Sequence, residues 1–191
     1  MILRDGVCLY HGSYTVVEEP DLSRCRGQKD FGQEFYLTTD HEQARRFVRA
    51  SVRKAISAGA VSAETNQGYV SAYRYQQKTD SRLRVFEFQK ADAEWLSCIV
   101  AHRRPDLLPG VYKHWEQYDI LTGKIANDNT NPTIVAYMSG LFGPVGSDEA
   151  IQQAIRLLMP FRLKNQVCFR TEQSLQYLQY IRSEKVTWQI K

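Results

Sequence analysis

The segment Leu9-Tyr10-His11-Gly12-Ser13 joins two apolar residues to a histidine, a glycine and a hydroxyl residue. The apolar run from residue 7 to residue 10 predicts a short buried strand. Gly12 has no Cβ, so its backbone N–H and C=O can approach a ligand closely, and Ser13 adds a hydroxyl beside them. Together with the imidazole of His11, these groups are suited to holding a planar amide. A motif this short also fits a polar strand end that simply turns, so its meaning depends on residues further along the chain.

The composition predicts a single domain over residues 1–191. The chain has 191 residues, of which 43% are hydrophobic and 12% aromatic, which is enough for a substantial core. Its formal net charge of +4 is compatible with an acidic partner but is weak evidence for one. The four cysteines include no C-x-x-C pair, so we expect neither a metal site nor a disulfide framework.

The N-terminal segment Met-Ile-Leu-Arg-Asp-Gly lacks the apolar core of a signal peptide. No apolar run approaches the length needed to cross a bilayer, so we expect no membrane partner. The expected compartment is the cytoplasm. Export by a specialised secretion system, which needs no such signal, stays open.

Helical and strand patterns follow one another without strict alternation, which favours the α+β class. Thr171 is placed to cap a last helix, on which Leu175, Leu178 and Ile181 are expected to pack inward. A closing strand is expected at residues 184–190. Alternating apolar and polar residues or short apolar runs predict the other main strands, at residues 69–75, 83–88, 118–123 and 166–170.

The helix predicted at residues 40–57 has two different faces. One is an apolar stripe at helical spacing that includes Phe47. The other carries Arg45, Arg49 and Arg53, each four residues from the next. Such a basic ridge is either an ordinary solvated face or a surface that follows the phosphates of a nucleic acid.

Three segments together resemble the ADP-ribosyltransferases of the diphtheria-toxin and poly(ADP-ribose) polymerase type. The first is the His11 segment, and the second is Phe31-Gly32-Gln33-Glu34-Phe35-Tyr36-Leu37-Thr38. The third is Asn165-Gln166-Val167-Cys168-Phe169, where the family usually places a glutamate. Phe47 follows Tyr36 by eleven residues, where the polymerases carry a second aromatic residue on a helix. The wider pattern covers nearly the whole chain and resembles a bacterial family of this superfamily that is named only as a domain of unknown function.

The resemblance implies an α+β fold with split mixed and antiparallel sheets, peripheral helices and an NAD cleft between the sheets. NAD would be a substrate, and no metal would be needed. Gly12 and Ser13 would bind the nicotinamide amide, and Tyr36 and Phe47 would enclose its ring. Taken alone, the positions of Tyr36 on a strand and of Phe47 on the apolar stripe favour simple core packing over ring stacking.

The resemblance also assigns roles around the two riboses. His11 would hydrogen-bond the adenosine ribose, and Gln166 would reach the hydroxyls of the nicotinamide ribose. Gln166 departs from the family's glutamate, because an amide keeps the hydrogen bonds but lacks the negative charge. Chain elongation and general-base assistance are therefore in doubt, and Glu34 or Glu172 would have to supply the charge.

The function expected from the resemblance is mono-ADP-ribosyl transfer to a macromolecular acceptor, either a protein or a nucleic acid. The biological role would be that of a bacterial toxin or effector, with an antitoxin or immunity protein as a further partner. Two alternatives stay open: an NAD glycohydrolase that uses water as acceptor, and a non-catalytic module that binds NAD or another partner.

Overall fold

The computed structural model describes residues 2–25, 30–32, 34–78, 82–126, 130–159 and 163–189. Within these residues the chain forms two β-sheets, one antiparallel and one mixed, together with several helices. The α+β class is therefore confirmed. Gln33 of the second motif, and Asn127 and Asp128 of a turn expected after the 118–123 strand, lie outside the described residues.

The first sheet is antiparallel and contains the His11 segment. Its strand order is β1-β3-β7, so β3 is central and β1 forms one edge. The three strands are β1 (Cys8–Ser13), β3 (Gln67–Tyr75) and β7 (Leu178–Thr187).

The second sheet is mixed and contains the other two motifs. Its order is β2-β6-β5-β4, with a parallel β4–β5 pair and antiparallel pairs elsewhere. The strands are β2 (Phe35–Leu37), β4 (Val85–Glu87), β5 (Ile120–Lys124) and β6 (Asn165–Phe169).

Within the residues that the structure describes, one β-bridge joins the two sheets. The N–H of Tyr10 donates to the carbonyl oxygen of Thr38 at 2.8 Å, and the N–H of Thr38 donates back to Tyr10 at 3.0 Å. Tyr10 lies in the middle of β1, and Thr38 directly follows β2. The first and second motifs therefore meet at this bridge.

Six α-helices occur in the described part of the chain. The longest follows Asp40, whose carboxylate accepts from the N–H of Gln43 at 3.1 Å and so caps a helix that begins where it was predicted. None of the helices in the described residues is both long enough and apolar enough to cross a bilayer. The helices are α1 (His41–Ser57), α2 (Ala93–Arg103), α3 (Val111–Glu116), α4 (Asn131–Met138), α5 (Asp148–Leu158) and α6 (Glu172–Leu175).

The buried apolar side chains form three clusters around the sheets. Val48 and Val52 of α1 pack with Val70 of β3 on one face of the first sheet. A second cluster, which includes Leu9, contains residues of both sheets. The third cluster, centred on Trp95 of α2, packs α2 and its neighbouring helices against the other face of the second sheet. These clusters define which face each motif residue occupies.

The last helix was predicted too long. α6 ends at Leu175, and Leu178 and Ile181 belong to β7. The spacing of three residues suggested a helix, but pairing with β3 along its whole length determines the conformation. Ile181 falls at an irregularity in that pairing and is 41% exposed, so it does not pack inward. Residues 111–117, expected to be an irregular link, contain α3.

Candidate functional site

β1 carries the His11 segment as a strand rather than as a turn. The predicted strand ended at Tyr10, whereas β1 continues through Ser13, which pairs with Tyr69 of β3. Since side chains alternate along a strand, His11 and Ser13 lie on the face of Leu9, toward the core shared by both sheets. Gly12 lies on the opposite face, under α1.

Gly12 is required by the packing of α1. A Cβ on Gly12 would overlap the carbonyl oxygen of Ala44 and would lie 3.3 Å from a methyl group of Val48. Gly68, on the neighbouring strand, would likewise overlap Val48 if it carried a Cβ. The helix therefore lies unusually close to the strands at this point. The missing side chain makes room for the helix, and only the backbone of Gly12 is available to a ligand.

The backbone groups of Gly12 point to the open edge of β1. Tyr10 uses both its N–H and its C=O on Thr38, on the side away from β3. In an antiparallel strand, residues two apart direct their backbone groups to the same side, so those of Gly12 also point away from β3. Within the described residues, no partner hydrogen-bonds to Gly12 on that side. One donor and one acceptor, both unpaired within the described residues, therefore lie next to each other at this edge, although Gly12 as a whole residue is buried.

Phe47 lies on the side of α1 nearest this open edge. Its neighbours on the helix, Ala44 and Val48, lie directly over Gly12. Arg45 extends from the other side of the helix and pairs with Glu184 on β7, at the far edge of the sheet. Phe47 is 48% exposed. Simple core packing, which was the alternative interpretation of its sequence position, is therefore wrong for this residue.

His11 is held by the second motif. Its Nδ1 lies 2.8 Å from the carbonyl oxygen of Tyr36, and its ring packs against that of Phe35, with centroids 4.6 Å apart. A carbonyl oxygen only accepts, so Nδ1 carries the hydrogen of this bond and Nε2 is the acceptor nitrogen of the neutral ring. The bond fixes both the orientation and the tautomer of the half-buried imidazole.

Tyr36 directs its ring away from His11. It alternates with Phe35 on β2, so its ring lies on the opposite face of the sheet, against the cluster centred on α2. Its hydroxyl accepts from the N–H of Phe31 at 2.9 Å and lies 3.4 Å from the carbonyl oxygen of Gly32. Burial, followed by the charge of Glu34, raises the pKa of this hydroxyl well above its usual value.

Gln166 lies on the same face as Tyr36, because Tyr36 pairs with Cys168 two residues further along β6. It is only 3% exposed, and its Nε2 donates to the carbonyl oxygen of Lys124 at 3.3 Å. Its amide also hydrogen-bonds to Asp30. The carboxyl pKa of Asp30 is raised, because the effect of burial exceeds the opposing effects of Arg103 and of hydrogen bonds, including that of Gln166. Gln166 is thus a buried member of a polar cluster.

The Tyr10–Thr38 bridge shows which face of the first sheet continues into which face of the second sheet. Bridged residues point the same way, so Thr38 shares the face of Tyr10, on which α1 packs. Tyr36, two residues before Thr38, therefore also lies on this face, together with Gln166. The structure brings Phe47, Tyr36 and Gln166 to one side of the joined sheets, and places His11 and Ser13 on the other. Gly12 lies at the edge between the two sides.

A buried polar cluster lies near Tyr36, and no local sequence pattern predicted it. Glu34 is 1% exposed and pairs with Nε of Arg170 at 2.6 Å. Nη2 of Arg170 lies 3.2 Å from Nε2 of His102, whose Nδ1 donates to the carbonyl oxygen of Cys98 at 2.7 Å. Burial, reinforced by the charge of Arg170, lowers the pKa of His102 to about 4.

A second buried pair, between Asp30 and Arg103, completes this cluster. Glu34 and Asp30 both act electrostatically on Tyr36. Glu172, the other acid considered for the missing charge, is exposed in the first turn of α6. Among the described residues no group of histidine, cysteine, aspartate and glutamate side chains is arranged to hold a metal ion.

A family model matches the part of the chain that contains the three motifs. The chain belongs to the DUF3990 family. The model of this family, described as a protein of unknown function, matches residues 7–180, a range that includes all six candidate site residues. Comparison with curated proteins and comparison with solved structures give no match.

Proposed function

We propose that this protein is a mono-ADP-ribosyltransferase with the fold of that superfamily, and that NAD binds at the open edge of β1. One observation carries the proposal. The N–H and C=O of the buried Gly12 have no partner among the described residues at this edge, and the exposed ring of Phe47 lies on the side of α1 that faces this edge. The amide of nicotinamide has the complementary donor and acceptor, and its flat ring is the part that an aromatic side chain can stack on.

The leaving group is the part of NAD that this edge suits best. Cleavage breaks the bond between nicotinamide N1 and ribose C1′, and the nicotinamide leaves with the bonding electron pair as a neutral molecule. The backbone of Gly12 would hold its amide, with Ser13 beside it on the buried face of β1, and Phe47 would cover one face of its ring. Tyr36, on the same side of the joined sheets, would cover the other.

The riboses would be positioned by His11 and Gln166. His11 would bind the adenosine ribose through Nε2, because Nδ1 is held by the carbonyl of Tyr36. It would orient NAD without acting as a base. Gln166 would approach the nicotinamide ribose after exchanging its bond to Lys124.

Positive charge develops on the ribose as the bond breaks, and a nearby negative charge stabilises that state. Gln166 is neutral, whereas the carboxylates of Glu34 and Asp30 lie behind it and close enough to act on Tyr36. Because each is paired with an arginine, neither would act as a base, and the two pairs would supply little net negative charge to the ribose. We therefore expect single transfer to an acceptor that brings its own nucleophile.

The burial of Gln166 favours a second candidate function, that of a non-catalytic NAD-binding or interaction module. A side-chain amide that stays buried cannot contact the ribose during cleavage of NAD. Hydrolysis of NAD by water is the enzymatic alternative. The proposed biological role is that of a cytoplasmic bacterial toxin or effector, controlled by an antitoxin or immunity protein. The basis for this role is the family resemblance.

Labelled NAD tests the proposal. Released nicotinamide together with a labelled macromolecule supports transfer, released nicotinamide with free ADP-ribose indicates hydrolysis, and binding without release indicates a module. Phe47→Ala is expected to weaken NAD binding about tenfold, because a stacked ring contributes about 1–1.5 kcal/mol. Val135→Ala is the matched control, since Val135 lies on α4 and is also 48% exposed. Equal NAD affinity in the two variants would remove Phe47 from the site.

A further inference from the structure

The positive charge of the chain is concentrated on α1. This helix carries five basic residues and one acidic residue, so its net charge equals the +4 of the whole chain. The other residues carry twenty basic and twenty acidic side chains, which cancel. The helix has 17 residues and is therefore about 25 Å long. A surface of this length and charge suits an extended polyanion.

The basic side chains of α1 divide into two groups, one directed toward the β7 edge of the sheet and one directed to solvent. Arg45 is paired with Glu184 on β7, and Arg49 lies over the ring of Trp188 at 5.5 Å. Arg46 and Arg53 lie opposite the buried stripe of the helix, are exposed, and form no ion pair with a described residue. Together with Lys54, they leave cationic groups available to phosphates.

The exposed aromatic ring of Phe47 lies between this basic surface and the open edge of β1. The ammonium of Lys54 is 5.8 Å from the centre of the ring. Alternating cations and aromatic rings are typical of surfaces that bind single strands, where phosphates meet the cations and bases stack on the rings. A single strand can also turn an unstacked base toward a reactive centre, which a duplex cannot do without base flipping.

We propose that the basic face of α1 binds a single-stranded nucleic acid and presents it as the acceptor of ADP-ribose. The acceptor role rests on the proposed transferase function, whereas the binding does not. In the transfer, an oxygen or nitrogen of the nucleic acid forms the new bond to ribose C1′ as the bond to nicotinamide breaks. The acceptor's proton passes to solvent, and nicotinamide leaves as a neutral molecule.

Fluorescence anisotropy without NAD tests the binding. The probe is a mixed-sequence single strand of about 20 nucleotides, tested as RNA and as DNA. Arg46→Glu/Arg53→Glu is expected to weaken binding about tenfold or more and to reduce the dependence of affinity on salt between about 50 and 200 mM. Lys113→Glu/Arg156→Glu is the matched control, because it reverses two exposed charges on α3 and α5. Equal affinity in the two double variants, or no binding by the wild type, would overturn the proposal.

The same proteins with labelled NAD test the acceptor role. The acceptor role is supported if label appears on the oligonucleotide and is reduced in Arg46→Glu/Arg53→Glu. In that variant, the release of nicotinamide in the absence of an acceptor should be unchanged. Label that appears only on added proteins overturns the acceptor role while the transferase proposal stands. Oligonucleotide binding with no nicotinamide release from any preparation defeats the transferase proposal and the acceptor role together, and leaves only a nucleic-acid-binding surface.

Discussion

The open edge of β1 and the polar cluster near Tyr36 differ in what their polar groups contact. At the edge, the N–H and C=O of the buried Gly12 have no partner among the described residues, and Phe47, on the same side of α1, has an exposed ring. In the cluster, Glu34, Arg170 and His102 bind one another. Polar groups without a partner can bind a ligand, whereas groups that already hold one another mainly orient the strands around them. A perturbed pKa alone would have pointed to the cluster.

Breaking the buried pair should give the largest effect on stability. Arg170→Met is expected to lower the free energy of unfolding by about 3–5 kcal/mol, because Glu34 would keep its charge without its partner. Glu34→Gln/Arg170→Met removes both charges and should recover part of this loss. Urea denaturation measures both variants. Arg104→Met, which breaks the exposed pair with Asp106, should leave the urea midpoint unchanged. A similar midpoint shift in the Arg104 and Arg170 variants would show that the cluster does not stabilise the fold.

The open edge should also be sensitive, but through the packing of α1. Gly12→Ala is expected to lower the free energy of unfolding by up to about 3 kcal/mol, because the new methyl group meets the backbone of Ala44. Gly59→Ala, at a φ of 68° with open space around it, should cost about 1 kcal/mol. If NAD binds as proposed, only the Gly12 variant should also lose NAD affinity. Unchanged stability would mean that α1 moves aside easily.

Acid should weaken the cluster through His102. Its pKa in the fold is about 4, whereas an ordinary histidine titrates near 6.5, so the unfolded chain binds the proton first as pH falls. The stability due to neutral His102 is therefore complete above about pH 6.5 and decreases as pH falls toward 4, with a loss of about 2 kcal/mol by pH 5. Urea denaturation at several pH values should show a shallower slope for His102→Gln. Equal slopes in the variant and the wild type would contradict the burial of a neutral imidazole.

Much of the local structure was predictable from neighbouring residues. Asp40 caps α1, which begins where it was predicted, and the apolar stripe of that helix is buried except at Phe47. Arg45, Arg49 and Arg53 are all exposed on α1, although Arg45 and Arg49 also contact residues at the β7 edge of the sheet. The end of the chain was predicted less well, because apolar residues at intervals of three fit a helix, whereas Leu178 pairs as a strand with Tyr75, about a hundred residues earlier.

The candidate site was predictable as a set of residues but not as an arrangement. Short-range sequence was sufficient for the elements that carry His11, Tyr36, Phe47 and Gln166, because capping and periodicity act over a few residues. The faces on which these side chains lie depend on one bridge between Tyr10 and Thr38 and on the docking of α1. Likewise, the pairing of Glu34 with Arg170 joins the residue just before β2 to the residue just after β6. Such contacts result from the burial of both partners in one core, and no local pattern in either segment encodes them.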